Sequence, residues 1–195
     1  MTNKDFNNLI KKLSELDSGA GQEVTMRAVK QAGVIVQSQA KLLISSDTGA
    51  LARSVRVKNE AKEDMVSSTV YTNSKYAPYY EFGTGPNGEA NHQGISPKVS
   101  PRYKQTGWMI PADAMPVDKA EGYGFKIIYK NGDVIGYGTR GQMARPFMYP
   151  ALHDQEQAIE KNTERLFRKK LKEICNKWLM LKTLFIKDFL KKIRM

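Results

Sequence analysis

The C-terminal part of the chain contains no helix-breaking residue, and this feature constrains the fold more than any other. Residues 151–195 hold neither glycine nor proline, and apolar side chains recur there at three- and four-residue steps from Phe167 to Phe189. Such spacing puts the apolar side chains on one face of a helix. The segment therefore predicts one long helix, or two nearly continuous helices hinged near Asn176, spanning on the order of 60 Å.

Two further helices are predicted in the N-terminal part. Apolar residues at helical spacing indicate a short helix over 4–16, and the glycine-containing segment 17–21 is expected to break it. A longer helix is predicted from about 22 to 44. One apolar face of this helix is formed by Val24, Ala28, Ala32, Ile35 and Leu42.

The middle of the chain changes to the two-residue period of β-strands. Val55 and Val57 alternate with charged residues, and a Ser/Thr-rich run ends at Thr72. The polar residues 59–64 are predicted to form the loop of a hairpin. A second hairpin is predicted around Asn131-Gly132, the dipeptide favoured in the tight turn that matches strand twist.

These patterns together predict an α+β fold. We expect the strands in one antiparallel β-sheet packed on a long N-terminal helix, with a long basic C-terminal helical extension. The predicted division is an α+β domain over 1–160 and the helical extension over 161–195.

Residues 83–107 form a long stretch that contains five glycines and three prolines. Neither a helix nor a central strand is expected there. A loop of this length in a compact domain is either a contact element ordered by a partner or a plain surface excursion.

The positive charge is concentrated at the C-terminus. The formal net charge is +11, and residues 161–195 contribute twelve Lys and Arg against three Asp and Glu. The rest of the chain is therefore nearly neutral. The basic segment 161–195 is expected to bind a polyanion, an acidic protein surface or anionic lipid.

The composition argues against enzymatic chemistry, a cofactor and a metal site. One cysteine and two histidines make a zinc site improbable. Residues 83–88 fit the letters G-x-G-x-x-G, but Pro86 lies inside and no acidic residue follows at the required distance. We predict no catalytic, cofactor-binding or metal-binding residue. The opening residues contain no long apolar run, so we expect no signal peptide.

Three short segments carry a family resemblance. They are DTGALARSV (47–55), YAPYYEFGTG (76–85) and RPFMYPAL (145–152). Their order and spacing resemble the head–tail joining proteins of long-tailed bacteriophages, also called neck or tail-completion proteins. The resemblance covers roughly residues 5–165.

The resemblance implies a structural virion protein at the head–tail junction, made in the host bacterial cytoplasm. Such a protein forms a homo-oligomeric ring that joins the capsid portal to the tail and through which DNA passes. The implied partners are adjacent head-connector and tail-terminator or tail-tube proteins, with non-specific DNA contact in the lumen. The alternative is a DNA-binding protein that uses the basic C-terminal helix. A membrane-active protein is a more distant alternative.

The predicted interface and structural residues lie in the three segments. Glu81 stands among aromatic residues and needs a partner if it is buried. An arginine (Arg53, Arg140 or Arg145) is the expected partner, in the same chain or in the next subunit. The full set is Asp47, Thr48, Gly49, Leu51, Arg53, Tyr76, Tyr80, Glu81, Phe82, Gly83, Arg145, Pro146 and Phe147.

The end of the chain is predicted to be a partner-docking helix. An apolar band bordered by lysines can lie on a membrane, enter a groove of a partner or pack on its own kind. We favour packing against a neighbouring subunit or an adjacent virion protein. The predicted docking residues are Trp178, Leu181, Phe185 and Phe189.

Overall fold

The structure, a computed structural model, describes residues 3–45, 49–62 and 65–193, without the side chains of 3–18, 178, 181–182 and 184–193. The described chain is α+β, as predicted, with a long helix near each end. Its helices are α1 (Asn3–Leu43), α2 (Ala50–Ser54), α3 (Ala77–Phe82), α4 (Gly85–Ala90), α5 (Val117–Gly122), α6 (Met148–His153) and α7 (Glu156–Ile193). Its strands are β1 (Val55–Lys62), β2 (Met65–Thr72), β3 (Trp108–Pro111), β4 (Lys126–Lys130) and β5 (Asp133–Thr139).

Helix α1 is continuous, so the predicted break at residues 17–21 is wrong. Gly19 and Gly21 face open space, and a glycine inside a helix costs only about 0.5–1 kcal/mol relative to alanine. A helix of 41 residues absorbs that cost. The predicted apolar face is also wrong at its end, because Leu42 is 79% exposed while Val36 and Ala40 are buried.

The strands form two sheets rather than the single sheet predicted. β1 and β2 pair into a two-stranded sheet, and the other sheet has the order β3-β5-β4. Most of the predicted loop 59–64 is strand, because β1 extends to Lys62 and β2 begins at Met65. The end of β1 is mostly exposed and tolerates polar side chains, so polarity alone misplaced the turn.

The second predicted hairpin is confirmed. Asn131 and Gly132 both have positive φ values, 53° and 92°, and connect β4 to β5. The strands pair in antiparallel register with Lys130 opposite Asp133. This is the backbone that the tight hairpin turn requires.

The glycine- and proline-rich stretch contains a short helix, which corrects the prediction that no helix fits there. Helix α4 begins at Gly85, and Pro86 occupies its first turn, where a missing N–H group costs nothing. Residues 91–107 are irregular, and the unpredicted strand β3 follows at Trp108.

The C-terminal part forms two helices, and the break between them is not at Asn176. Helix α6 ends at His153 and α7 begins at Glu156. Helix α7 continues through Asn176, and its 38 residues span about 57 Å.

The chain forms two compact units. Unit 1 comprises Met1–Val36, Val57–Val70 and Gln155–Met195, and unit 2 comprises Gln37–Arg56 and Tyr71–Asp154. The domain boundary at residues 160 and 161 stays a prediction.

In unit 1, helices α1 and α7 pack against each other. Val24, Ala28 and Leu166 form a buried apolar cluster. An ion pair also joins Lys170 on α7 to Glu23 on α1. The hydrogen bond and the charge from Lys170 lower the pKa of the Glu23 carboxyl group.

The core of unit 2 lies between its sheet and its short helices. Tyr137 on β5 and Phe147 before α6 are almost completely buried. The Tyr137 hydroxyl donates a hydrogen bond of 2.9 Å to the carbonyl of Met115. This core positions the segments that resemble phage proteins.

Candidate functional site

The second and third motif segments meet at the carboxylate of Glu81. Glu81 is 6% exposed and lies on helix α3. Its carboxylate accepts hydrogen bonds from the backbone N–H groups of Phe147 (2.6 Å), Met148 (2.9 Å) and Tyr149 (3.2 Å). These N–H groups begin helix α6 and have no partner within the helix.

The expected arginine partner of Glu81 is therefore replaced by a helix N-terminus. Within the described residues, Arg53, Arg140 and Arg145 form no ion pair with Glu81. The positive end of the helix dipole and three N–H donors stabilise a buried carboxylate without a cation. The burial of Glu81 places its charge out of reach of a second subunit in this conformation.

The neighbouring side chain, Tyr80, contacts two other segments of unit 2. Its hydroxyl accepts a hydrogen bond from the N–H of Ser45 (2.9 Å) and donates one to the Ser45 carbonyl (2.8 Å). Its ring meets the Phe147 ring edge-on at 5.9 Å, and the Arg145 guanidinium lies 5.9 Å from the ring centroid. Tyr80 thus joins the segment before the first motif to the third motif.

Residues 140–147 form an extended strap across the second motif. The Arg145 N–H donates to the Tyr80 carbonyl (2.8 Å), and the Ala144 N–H donates to the Asn91 carbonyl (2.9 Å). The Thr84 N–H donates to the carbonyl of Gln142 (2.9 Å). The strap therefore has fixed backbone partners although it belongs to no helix or sheet.

Two glycines permit the close approach of the strap. Gly83 has φ 74°, and a Cβ atom there would lie 2.7 Å from the Ala144 nitrogen. Gly141 has φ 90°, and a Cβ atom there would lie 1.9 Å from the Thr84 carbonyl oxygen. Both positions require glycine because of the backbone conformation and because no space exists for a side chain.

The first motif segment is described only from Gly49 onward, and the predicted residues Asp47 and Thr48 lie outside the described residues. Gly49 has φ 64°, a left-handed backbone conformation that glycine adopts readily. Leu51 is buried, and the N–H of Arg53 donates to the Gly49 carbonyl (3.0 Å).

The remaining predicted residues differ from one another in exposure and in location. Tyr76 is 77% exposed, whereas Phe82 and Pro146 are half-buried in unit 2. The docking residues Trp178, Leu181, Phe185 and Phe189 lie on α7, and their side chains are outside the described part of the structure. The role of all these residues in assembly stays a prediction.

Sequence reasoning missed Tyr103, which fixes the irregular stretch. Its hydroxyl donates to the Phe82 carbonyl (2.9 Å), and its ring stacks on His92 at 5.7 Å. Burial, and to a smaller extent the charge of Glu89, raises the pKa of the Tyr103 hydroxyl. A single tyrosine among glycines and prolines gave no signal of this contact.

The described residues include the exposed free thiol of Cys175. They contain no cluster of three or more His, Cys, Asp or Glu side chains that could hold a metal ion. No helix in the described ranges is both long enough and apolar enough to cross a membrane.

Comparison with known proteins identifies one family. No curated protein and no solved structure matches the chain. Residues 7–83 match the family described as "Bacteriophage HK97-gp10, putative tail-component". This range contains the first motif segment and most of the second.

The match covers less than half of the chain, and its description agrees with the resemblance drawn from the motif segments. Through residues 7–83 the protein is similar to the HK97-gp10-like phage tail components, which confirms the predicted resemblance to phage head–tail proteins.

Proposed function

We propose that this protein is a structural component of the phage neck. Copies of it form a ring that joins the capsid portal to the tail, and DNA passes through the ring. The family match to a phage tail component is the observation that carries this proposal. The predicted partners are head-connector proteins on one side and tail-terminator or tail-tube proteins on the other.

The geometry of unit 2 supports a load-resisting structural role. The strap, whose close approach the two glycines permit, joins distant segments through backbone hydrogen bonds. Such bonds fix the relative position of segments without depending on mobile side chains. A protein that connects two assemblies needs this kind of rigidity.

Cryo-electron microscopy of the intact particle tests the proposal. The expected result is a ring of this chain between portal and tail. Lysates of a phage that lacks this protein are expected to contain DNA-filled heads and tails that are not joined to them. Location of the chain elsewhere in the particle, or its absence from it, would contradict the proposal.

DNA binding through α7 is the second candidate. Lys169, Lys172 and Lys177 are exposed on this helix and form no ion pair in the described part of the chain. Contact with phosphates would make the affinity fall linearly with salt on a logarithmic scale, with a slope of about −0.9 for each phosphate neutralised. A binding titration at several salt concentrations measures that slope, and an affinity independent of salt would exclude this candidate.

A further inference from the structure

A groove on unit 2 combines aromatic walls with two cations. It encloses about 560 Å³, and its lining includes Tyr79, Phe82, Tyr103, Trp108, Arg102 and Lys104. The described lining contains no carboxylate. The Lys104 ammonium lies 5.6 Å from the Trp108 ring centroid. We name this surface the basic groove.

The cations of the basic groove have no acidic partner in the described chain. Arg102 and Lys104 are exposed and form no ion pair there. Of the two acids near the groove in sequence, Glu81 is buried and accepts hydrogen bonds from backbone N–H groups, and Glu89 accepts one from the Gln105 amide (2.9 Å). The groove therefore presents two exposed cations beside aromatic rings, and the charge of Glu89 acts on Tyr103 at its wall.

Residues 113–123 present the complementary chemistry, and we name them the acidic patch. Asp113, Asp118 and Glu121 are exposed and form no ion pair in the described part of the chain. Two apolar side chains lie among them, Val117 at 38% exposure and Tyr123 at 49%. The one lysine of the patch, Lys119, lies over the Tyr123 ring at 5.7 Å.

The basic groove and the acidic patch adjoin, because Trp108 of the groove and Tyr123 of the patch line one cavity. Trp108, which lines the basic groove, begins the edge strand β3. Helix α5, which carries Asp118 and Glu121, packs against β4 at the other edge. Because the sheet order is β3-β5-β4, one copy can present both surfaces at the same time.

We propose that the basic groove of one copy receives the acidic patch of a second copy. Burial of Tyr79 and Trp108 against Val117 supplies affinity, and the charges fix the orientation. Because two different surfaces meet, the contact is head-to-tail and can close into a ring. This inference rests on the proposed function and names the surfaces through which the ring would form.

Charge reversal tests the contact with the full chain. One variant carries Arg102→Glu with Lys104→Glu, and the other carries Asp118→Lys with Glu121→Lys. Each alone should weaken self-association at least about tenfold in sedimentation velocity. An equimolar mixture should restore it, because the reversed groove accepts the reversed patch and the native groove accepts the native patch. Combining all four substitutions in one chain should also restore it.

A matched control reverses two exposed cations of unit 2 that lie outside both surfaces. Lys41→Glu with Arg56→Glu makes the same change in net charge as the groove variant. This control should self-associate like the unchanged protein. Equal weakening by the control, or wild-type association of either reversed variant, would overturn the proposal. Circular dichroism and thermal unfolding confirm that each variant is folded.

Cross-linking provides a test that works even if association is weak. A mixture of ¹⁴N- and ¹⁵N-labelled full chains is treated with a carbodiimide, which joins an amine to a carboxylate in direct contact. The expected product links Lys104 of one isotope to Asp118 or Glu121 of the other. Its absence from the cross-linked protein would overturn the proposal.

The outcomes also separate this contact from the proposed function. A ring of this chain at the head–tail junction without the Lys104 cross-link would refute the contact and leave the function intact. Weaker duplex DNA binding by the groove variant, with unchanged self-association, would assign the groove to DNA and refute the contact. Absence of the chain from the junction would refute the function.

Discussion

Glu81 shows how a buried charge is stabilised by backbone alone. The carboxylate spans the first three N–H groups at the start of α6, so one side chain holds two motif segments together. A glutamine at this position would present an NH₂ group to at least one of these donors. Two donors facing each other in a buried site cannot be satisfied.

We therefore expect Glu81→Gln to destabilise the isolated subunit. Loss of hydrogen bonds to a charged group costs about 1.5–3 kcal/mol, and the unpaired N–H group adds to that cost. Urea denaturation measures the free energy of unfolding. Glu160→Gln, at an exposed glutamate on α7, is the matched control and should change it little. Normal stability of Glu81→Gln combined with loss of head–tail joining would favour contact across subunits instead.

The raised pKa of the Tyr103 hydroxyl makes the protein less stable as the pH becomes alkaline. Because burial raises its pKa above 10.0, the unfolded chain loses the hydroxyl proton at a lower pH than the folded chain. The contribution of Tyr103 to stability is thus complete below pH 10 and is lost as the pH rises through the folded pKa.

We expect Tyr103→Phe to cost about 1 kcal/mol at neutral pH through the lost hydrogen bond. The difference from the unchanged protein should shrink above pH 10, and urea denaturation at several pH values measures it. Tyr129→Phe, at an exposed tyrosine without a hydrogen bond in the described chain, is the control. A difference that stays constant through alkaline pH would contradict the assignment to Tyr103.

At single positions, the residue type explains the backbone conformation where that conformation depends on local chemistry. The positive φ of Gly49 and the position of Pro78 in the first turn of α3 are conformations that glycine and proline favour. The partner of Glu81 could not be predicted, because it consists of backbone groups 66 to 68 residues away. A backbone N–H group is present at every residue except proline, so no pattern of side chains in the sequence indicates which of them binds Glu81.

At the level of elements, the approach of α1 to the β1–β2 sheet depends on Gly33. A Cβ atom at Gly33 would lie 1.9 Å from the Ser68 Oγ and 3.0 Å from Cγ1 of Val57. The Ser68 hydroxyl is buried there and has no hydrogen-bond partner among the described residues. Helix and sheet therefore touch at a position that has no spare volume.

We expect Gly33→Ala to destabilise the protein by about 1–3 kcal/mol, the range for overpacking. Gly21→Ala on the same helix is the matched control, because open space surrounds Gly21. That control should stabilise the protein by about 0.5–1 kcal/mol. Adding Ser68→Ala should recover part of the loss at Gly33, since it removes the unpaired oxygen. Thermal and urea unfolding measure all four proteins, and equal effects of the two alanines would refute the packing argument.

Elements that a few neighbouring residues determine were predicted correctly. The residues at which helices end and the pairing of strands depend on tertiary contacts and were not. The Asn131-Gly132 hairpin was predicted correctly because two residues determine its turn. The glycines near residue 20 predicted a break that a long helix overrides. The two separate sheets were not predictable, because strand partners depend on the arrangement of the whole chain.

At the level of the whole molecule, helix α7 combines contacts to α1 with exposed apolar side chains. Leu166 belongs to the buried cluster, and Lys170 pairs with Glu23 on α1. Beyond this point, Leu171, Leu179 and Met180 are 59%, 60% and 69% exposed. Exposed apolar side chains on a basic helix are typical of a surface that docks onto another molecule.

Truncation after Cys175 should therefore preserve the fold and abolish assembly into particles. The shortened chain keeps Leu166 and the Lys170–Glu23 ion pair, so circular dichroism and the thermal midpoint should change little. A shorter chain that ends at Arg165 loses Leu166, and burial of a leucine side chain contributes about 1.5–3 kcal/mol, so its midpoint should fall. Complementation of a phage that lacks the gene measures assembly. Normal particles from the chain ending at Cys175 would show that the exposed part of α7 is dispensable, and unfolding of that chain would show that its apolar side chains belong to the core instead.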